Sequence, residues 1–125
     1  MAAVKKKILI VDDEEDFGRM VKLNLENTGS FEVAVESFGS RALAAAKAFG
    51  PDLIILDIMM RDMAGPAVER QISADTALKN TPVIFLSAAV PRGPKAAETF
   101  SGRPYLAKPP TTSDLIAIIE KYLKK

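Results

Sequence analysis

The chain has no cysteine and no histidine among its 125 residues. The first absence excludes a disulfide framework, a thiolate metal site and a thiol nucleophile. The second removes the commonest general base and the usual phosphohistidine carrier. Any chemistry must therefore rest on carboxylates, hydroxyls and lysines. An excess of charge of one sign is missing too: 17 Lys and Arg stand against 16 Asp and Glu, so no global field draws nucleic acid or an anionic membrane. No apolar run approaches membrane-spanning length. The opening MAAVKKKILIV sets basic residues before an apolar run, as a signal peptide does. It then meets Asp12, Asp13, Glu14 and Glu15 without a cleavage-site pattern, and so reads as a first strand. The expectation is a cytoplasmic protein of one domain, residues 1–125, long enough to bury a core without staples but with no room for a second catalytic or DNA-binding unit.

What is present alternates. Strand-like segments at Lys7–Val11, Phe31–Val35, Asp52–Leu56, Val83–Ser87 and Pro104–Ala107 are separated by helix-like ones. The helices are read from Phe17 to about Leu25, over Arg41–Phe49, between Pro66 and Leu78, and after a Thr112 or Ser113 cap. Such alternation argues for βα units on a parallel sheet. The run Leu53, Ile54, Ile55, Leu56 is bounded by Gly50 and Pro51 and is apolar throughout, as a strand buried on both faces would be.

Four strand ends carry polar groups: Asp12 and Asp13, Asp57, Ser87 and Lys108. Parallel strands all end on one side of the sheet, where ligands bind in open α/β folds, so these groups should share a cleft. Clustered carboxylates repel unless a cation joins them. Oxygen ligands that leave room for water suit Mg2+. A carboxylate nucleophile beside such an ion, with a lysine and a hydroxyl, suits phosphoryl transfer.

The segments ILIVDDEED, LIILDIMM, VIFLSA and YLAKPP, in this order and spacing, resemble the receiver domain of two-component response regulators across essentially the whole chain. The resemblance implies a doubly wound (βα)5, flavodoxin-like α/β fold with five parallel strands in the order 2-1-3-4-5. It implies Asp57 as the phosphoacceptor, filled by a sensor histidine kinase or phosphotransfer protein. Mg2+ would be held by Asp13, the Asp57 side chain and the backbone carbonyl of Met59, with Asp12 acting mostly through water. Ser87 would be the switch hydroxyl, Tyr105 the aromatic switch residue and Lys108 the partner of a phosphoryl oxygen, the Lys108-Pro109 bond being cis. An output protein and a second copy of the chain are candidate partners; direct contact with nucleic acid or membrane is not expected. Enzymatic activity would be confined to self-phosphorylation and slow autophosphatase action.

Plainer roles compete. Asp12 and Asp13 could cap the first helix, Asp57 could cap a loop, Ser87 could be an ordinary strand-end hydroxyl and Tyr105 a packing residue. Met59, Met60 and Met63 read as core and loop filling, and Lys5, Lys6, Lys7, Lys124 and Lys125 as solvated ends. Alternative functions are a receiver serving only as a docking module, a magnesium-dependent phosphohydrolase and a flavodoxin-type binder. The phosphohydrolase is weakened by Met59 at the position of a second acid. The binder lacks a phosphate loop after strand one. Arg61 departs from the family pattern by placing a cation beside the cleft. The stretch from Ser87 to Pro104, with Pro91, Gly93, Pro94 and Gly102, should supply a short fourth helix from Pro94 to about Ser101, packed through Ala97 and Phe100 and able to act as the output element.

Overall fold

The computed structural model describes residues 4–88, 99–100 and 102–123. Runs of branched aliphatics form β1 (Lys6–Val11), β2 (Phe31–Glu36), β3 (Leu53–Asp57) and β4 (Val83–Ser87), and β6 (Arg103–Ala107) follows late in the chain. These five pair in parallel in the order β2-β1-β3-β4-β6, the flavodoxin-like 2-1-3-4-5 with β6 in fifth place. Among the described residues four helices connect or flank them: α1 (Glu15–Glu26), α2 (Ala42–Phe49), α3 (Gly65–Ala74) and α4 (Thr112–Leu123). All residues of β3 and β4 are buried, as a sheet covered on both faces requires. Their side chains alternate between two apolar layers. Ile8, Ile10, Ile55 and Leu86 pack with Val21, Leu25, Leu115 and Ile119 of α1 and α4. Leu9, Val11, Leu56 and Phe85 pack with Ala42, Ala46, Val68 and Ile72 of α2 and α3.

Several expectations need correction. A two-residue strand β5 (Thr99–Phe100) pairs antiparallel with Arg103 and Pro104, so the sheet has a sixth strand. The reversal passes through Gly102 at φ 79, a conformation glycine adopts without steric cost. The expected fourth helix therefore does not reach Ser101; residues 89–98 and 101 lie outside the described residues. Helix α3 stops at Ala74 rather than near Leu78, because Asp75 turns to extended backbone and its Oδ1 accepts the Ala77 N–H at 2.9 Å. A 3-10 turn, Gly39–Arg41, precedes α2. The cap of α4 is Thr111, whose Oγ1 accepts the Asp114 N–H at 3.0 Å, one residue earlier than expected. Lys7 is not a solvated end: its N–H donates to Asp52 Oδ2 at 2.8 Å and its ammonium lies over the Phe49 ring.

Candidate functional site

Register sets the strand ends level. Val11 lies opposite Leu56, Asp57 opposite Leu86, and Ser87 opposite Ala107. Asp12, Asp57, Ser87 and Lys108 thus leave the sheet on one edge, as the parallel topology requires. Asp12 is fully buried, Asp57 and Ser87 nearly so. An open cleft of about 470 Å³ is lined by Asp13, Glu14, Asp57, Met59, Arg61, Ala88 and Lys108.

Asp57 is aimed by backbone rather than by side-chain partners. The N–H of Ile58, next along the chain, donates to Leu86 O at 2.9 Å, and Gly65 N–H donates to Ile58 O at 2.8 Å. A Cβ on Gly65 would stand 2.8 Å from Ile58 Cα and closer still to Asp57 O, so only glycine lets α3 begin this near the end of β3. Burial raises the Asp57 carboxyl to about 6. The Asp12 charge adds to this rise and the Asp13 charge adds least, against Lys108 and the Met59 N–H.

Asp12 serves two partners. Its Oδ1 accepts the Glu14 N–H at 2.9 Å, which shapes the turn into α1, whose first turn carries no side-chain cap from its own N-cap position. Its Oδ2 lies 2.8 Å from Lys108 Nζ, an ion pair off the line of an aligned hydrogen bond, so this buried oxygen keeps unmet hydrogen-bonding capacity. Lys108 is itself nearly buried. It also pairs with Glu14, sits 3.8 Å from Asp57 Oδ2, and lies 4.6 Å over the Phe17 ring. Burial alone would lower the lysine, but Asp12, Glu14 and Asp57 outweigh it and raise it above its ordinary value.

Oxygens of Asp12, Asp13 and Asp57 lie within 4.8 Å of one another and could together hold a metal ion. Three convergent carboxylates, a raised Asp57 and an under-bonded buried oxygen of Asp12 fit a hard divalent cation. Tyr105 is placed differently. It sits opposite Phe85 two residues back from the strand end, partly buried on the face covered by α2 and α3. Met60 and Met63 pack in that layer, but the Met59 side chain is 69% exposed at the cleft and fills no core. The Lys108-Pro109 bond is cis, as the resemblance implied.

Three partners escaped the sequence reading. Glu14 was one of four acidic residues in a row and Phe17 one of several apolar helix positions, yet both meet Lys108. Asp62 clamps the loop after β3 to the 3-10 turn, its two oxygens accepting the N–H groups of Gly39 and Ser40 at 3.1 and 2.9 Å. Those bonds hold its carboxyl below the ordinary value.

A family model of the response regulator receiver domain matches residues 8–120. The chain belongs to that family. This receiver is 32% identical over its full length to the DNA-binding response regulator MtrA of Mycolicibacterium smegmatis, covering 54% of that protein. It is also 32% identical over 98% of its length to the alkaline phosphatase synthesis transcriptional regulatory protein PhoP of Bacillus subtilis, covering 50% of it. The chain thus spans about half the length of these curated relatives. MtrA is named as DNA-binding, so the expected lack of nucleic-acid contact does not extend to a protein of that length. Among solved structures, the receiver domain of Francisella response regulator 1452 superposes with a TM-score of 0.80 at 29% identity, over 96% of this receiver and 98% of that chain. Vibrio cholerae chemotaxis protein CheY4 does so with 0.79 at 26%, over 94% and 98%. No described helix of the receiver is long and apolar enough to cross a membrane.

Proposed function

We propose that the chain is a single cytoplasmic receiver unit that takes a phosphoryl group onto Asp57 from a sensor histidine kinase or phosphotransfer protein and passes the change to an output partner. The observation that carries this reading is the convergence of Asp12, Asp13 and Asp57 around a cleft that also holds Lys108. Asp13, Asp57 and the Met59 carbonyl would hold Mg2+, with Asp12 acting through water. The ion supplies charge that offsets the phosphoryl oxygens and keeps Asp57 ionised. A carboxylate oxygen of Asp57 attacks phosphorus as the bond to the donor's imidazole breaks. The near-burial of Asp57 limits access to reagents that fit the cleft mouth. Lys108 exchanges Glu14 for a phosphoryl oxygen, a swap of one anion for another at an ammonium already held in place by Asp12 and Phe17. Ser87, at the end of β4, turns its hydroxyl to the same group, and Tyr105 on the neighbouring strand follows. Self-phosphorylation from small donors and slow autophosphatase action are the only catalysis this requires.

Intact mass after incubation with a small phosphodonor tests the reading. One phosphoryl group is expected with Mg2+, none in chelator, and none on Asp57→Asn, whose amide is nearly isosteric. Full labelling of that variant would move the acceptor elsewhere, and no labelling of the parent with Mg2+ would leave the docking-module reading in its place.

A further inference from the structure

Arg61 places a cation beside the cleft, and it contacts Asp13 twice. Asp13 Oδ2 accepts the Arg61 backbone N–H at 2.9 Å and its side-chain Nε–H at 3.3 Å. Two donors on one carboxylate oxygen fill its lone-pair directions, and the guanidinium brings a full positive charge to a group flanked by Asp12 and Asp57. We propose that Arg61 is a resident cation of the cleft: it neutralises Asp13 while the metal is away and is displaced when Mg2+ binds, so that metal affinity is set below what the three carboxylates would give alone. This rests on the metal reading given above.

The asymmetry of the pair carries the inference. The Asp13 side chain is 16% exposed and fixed, whereas the Arg61 side chain is 89% exposed, so its guanidinium can leave with little loss of packing. The backbone N–H bond to Asp13 does not depend on the guanidinium and tethers it beside the site. A place to go is also present. Arg61 lines both the main cleft and an adjoining hollow of about 120 Å³ bordered by Glu15, Ser37, Phe38 and Asp62. Each oxygen of Asp62 accepts one backbone N–H and can take a second donor, and Glu15, which also pairs with Arg19, lies on the same hollow, so a displaced guanidinium would meet a carboxylate there. An exposed arginine cannot hold off a divalent ion outright. It can only compete by the modest margin of an exposed ion pair.

Calorimetric titration with MgCl2 tests this on the parent chain, Arg61→Ala and Arg61→Gln. Both variants should bind Mg2+ about two- to five-fold more tightly than the parent. In the parent, the Arg61 Nε–H resonance should shift along the same titration with the same midpoint. Equal or weaker affinity in both variants overturns the inference while leaving the metal site intact. An Nε–H signal unmoved at saturating Mg2+ overturns it as well, since the gain would then come from charge at a distance. No binding by parent or variants overturns both the inference and the metal reading.

Discussion

Among single residues, Gly65 has the strongest claim on the geometry around Asp57 although it offers no chemistry. Its missing Cβ is what lets α3 start against the backbone of Asp57 and Ile58. Gly65→Ala should cost about 1–3 kcal/mol in chemical denaturation, the usual range for an overpacked site, and should slow phosphorylation of Asp57 in the folded protein. Wild-type values for both would show that the loop yields. The polar residues at strand ends, Asp12, Asp13, Asp57, Ser87 and Lys108, were legible in the sequence because each interrupts or ends a greasy run. Glu14, Phe17 and Asp62 were not, because their roles come from what the fold brings opposite them. Glu14 and Lys108 are 94 positions apart, and nothing local to Glu14 marks it.

At the level of elements, the central strands were readable almost to the residue, since a short run of branched aliphatics between turn residues has few other uses. Ends set by side-chain bonds were less so: Thr111 and Asp75 each decide a helix boundary through one hydrogen bond that periodicity does not record. The edge strand β2 shows another such device. Lys22 of α1 donates to Val33 O at 2.7 Å, and Glu26 accepts the Val33 N–H at 3.0 Å, while the two side chains pair with each other. The outer edge of the sheet is thereby closed to another strand at that point. The bond from Val33, followed by the Lys22 ammonium, holds the Glu26 carboxyl below its ordinary value. Replacing both by alanine should cost about 1 kcal/mol and speed amide exchange at Val33. Unchanged exchange there would mean that the edge is protected by other means.

For the molecule as a whole, the raised Asp57 predicts how metal-free stability depends on pH. The unfolded carboxyl titrates near the ordinary 3.8 and the folded one near 6. Between these values the folded state keeps a proton that the unfolded state has lost. The contribution of Asp57 is thus fully present below about pH 4 and is lost as pH rises through 6. A rise from 3.8 to about 6 corresponds to at most about 3 kcal/mol. In chelator, the parent should lose more stability from pH 4 to pH 7 than Asp57→Asn does, and Mg2+ should restore the difference at pH 7. Parallel thermal profiles for the two would show that Asp57 carries no such strain. The same carboxylate has a second consequence, which follows from the two apolar layers. Because β1, β3 and β4 are greasy on both faces, sliding one strand by a residue would merely exchange one oily side for the other, and hydrophobicity alone gives the sheet no reading frame. Asp12, Asp57 and Ser87 supply it. A slip that drew β3 inward would drag an ionised carboxylate into the place of Leu56, between Val11 and Phe85, with no water to meet it. The polar groups that meet in the cleft are thus the stops that keep its strands in alignment.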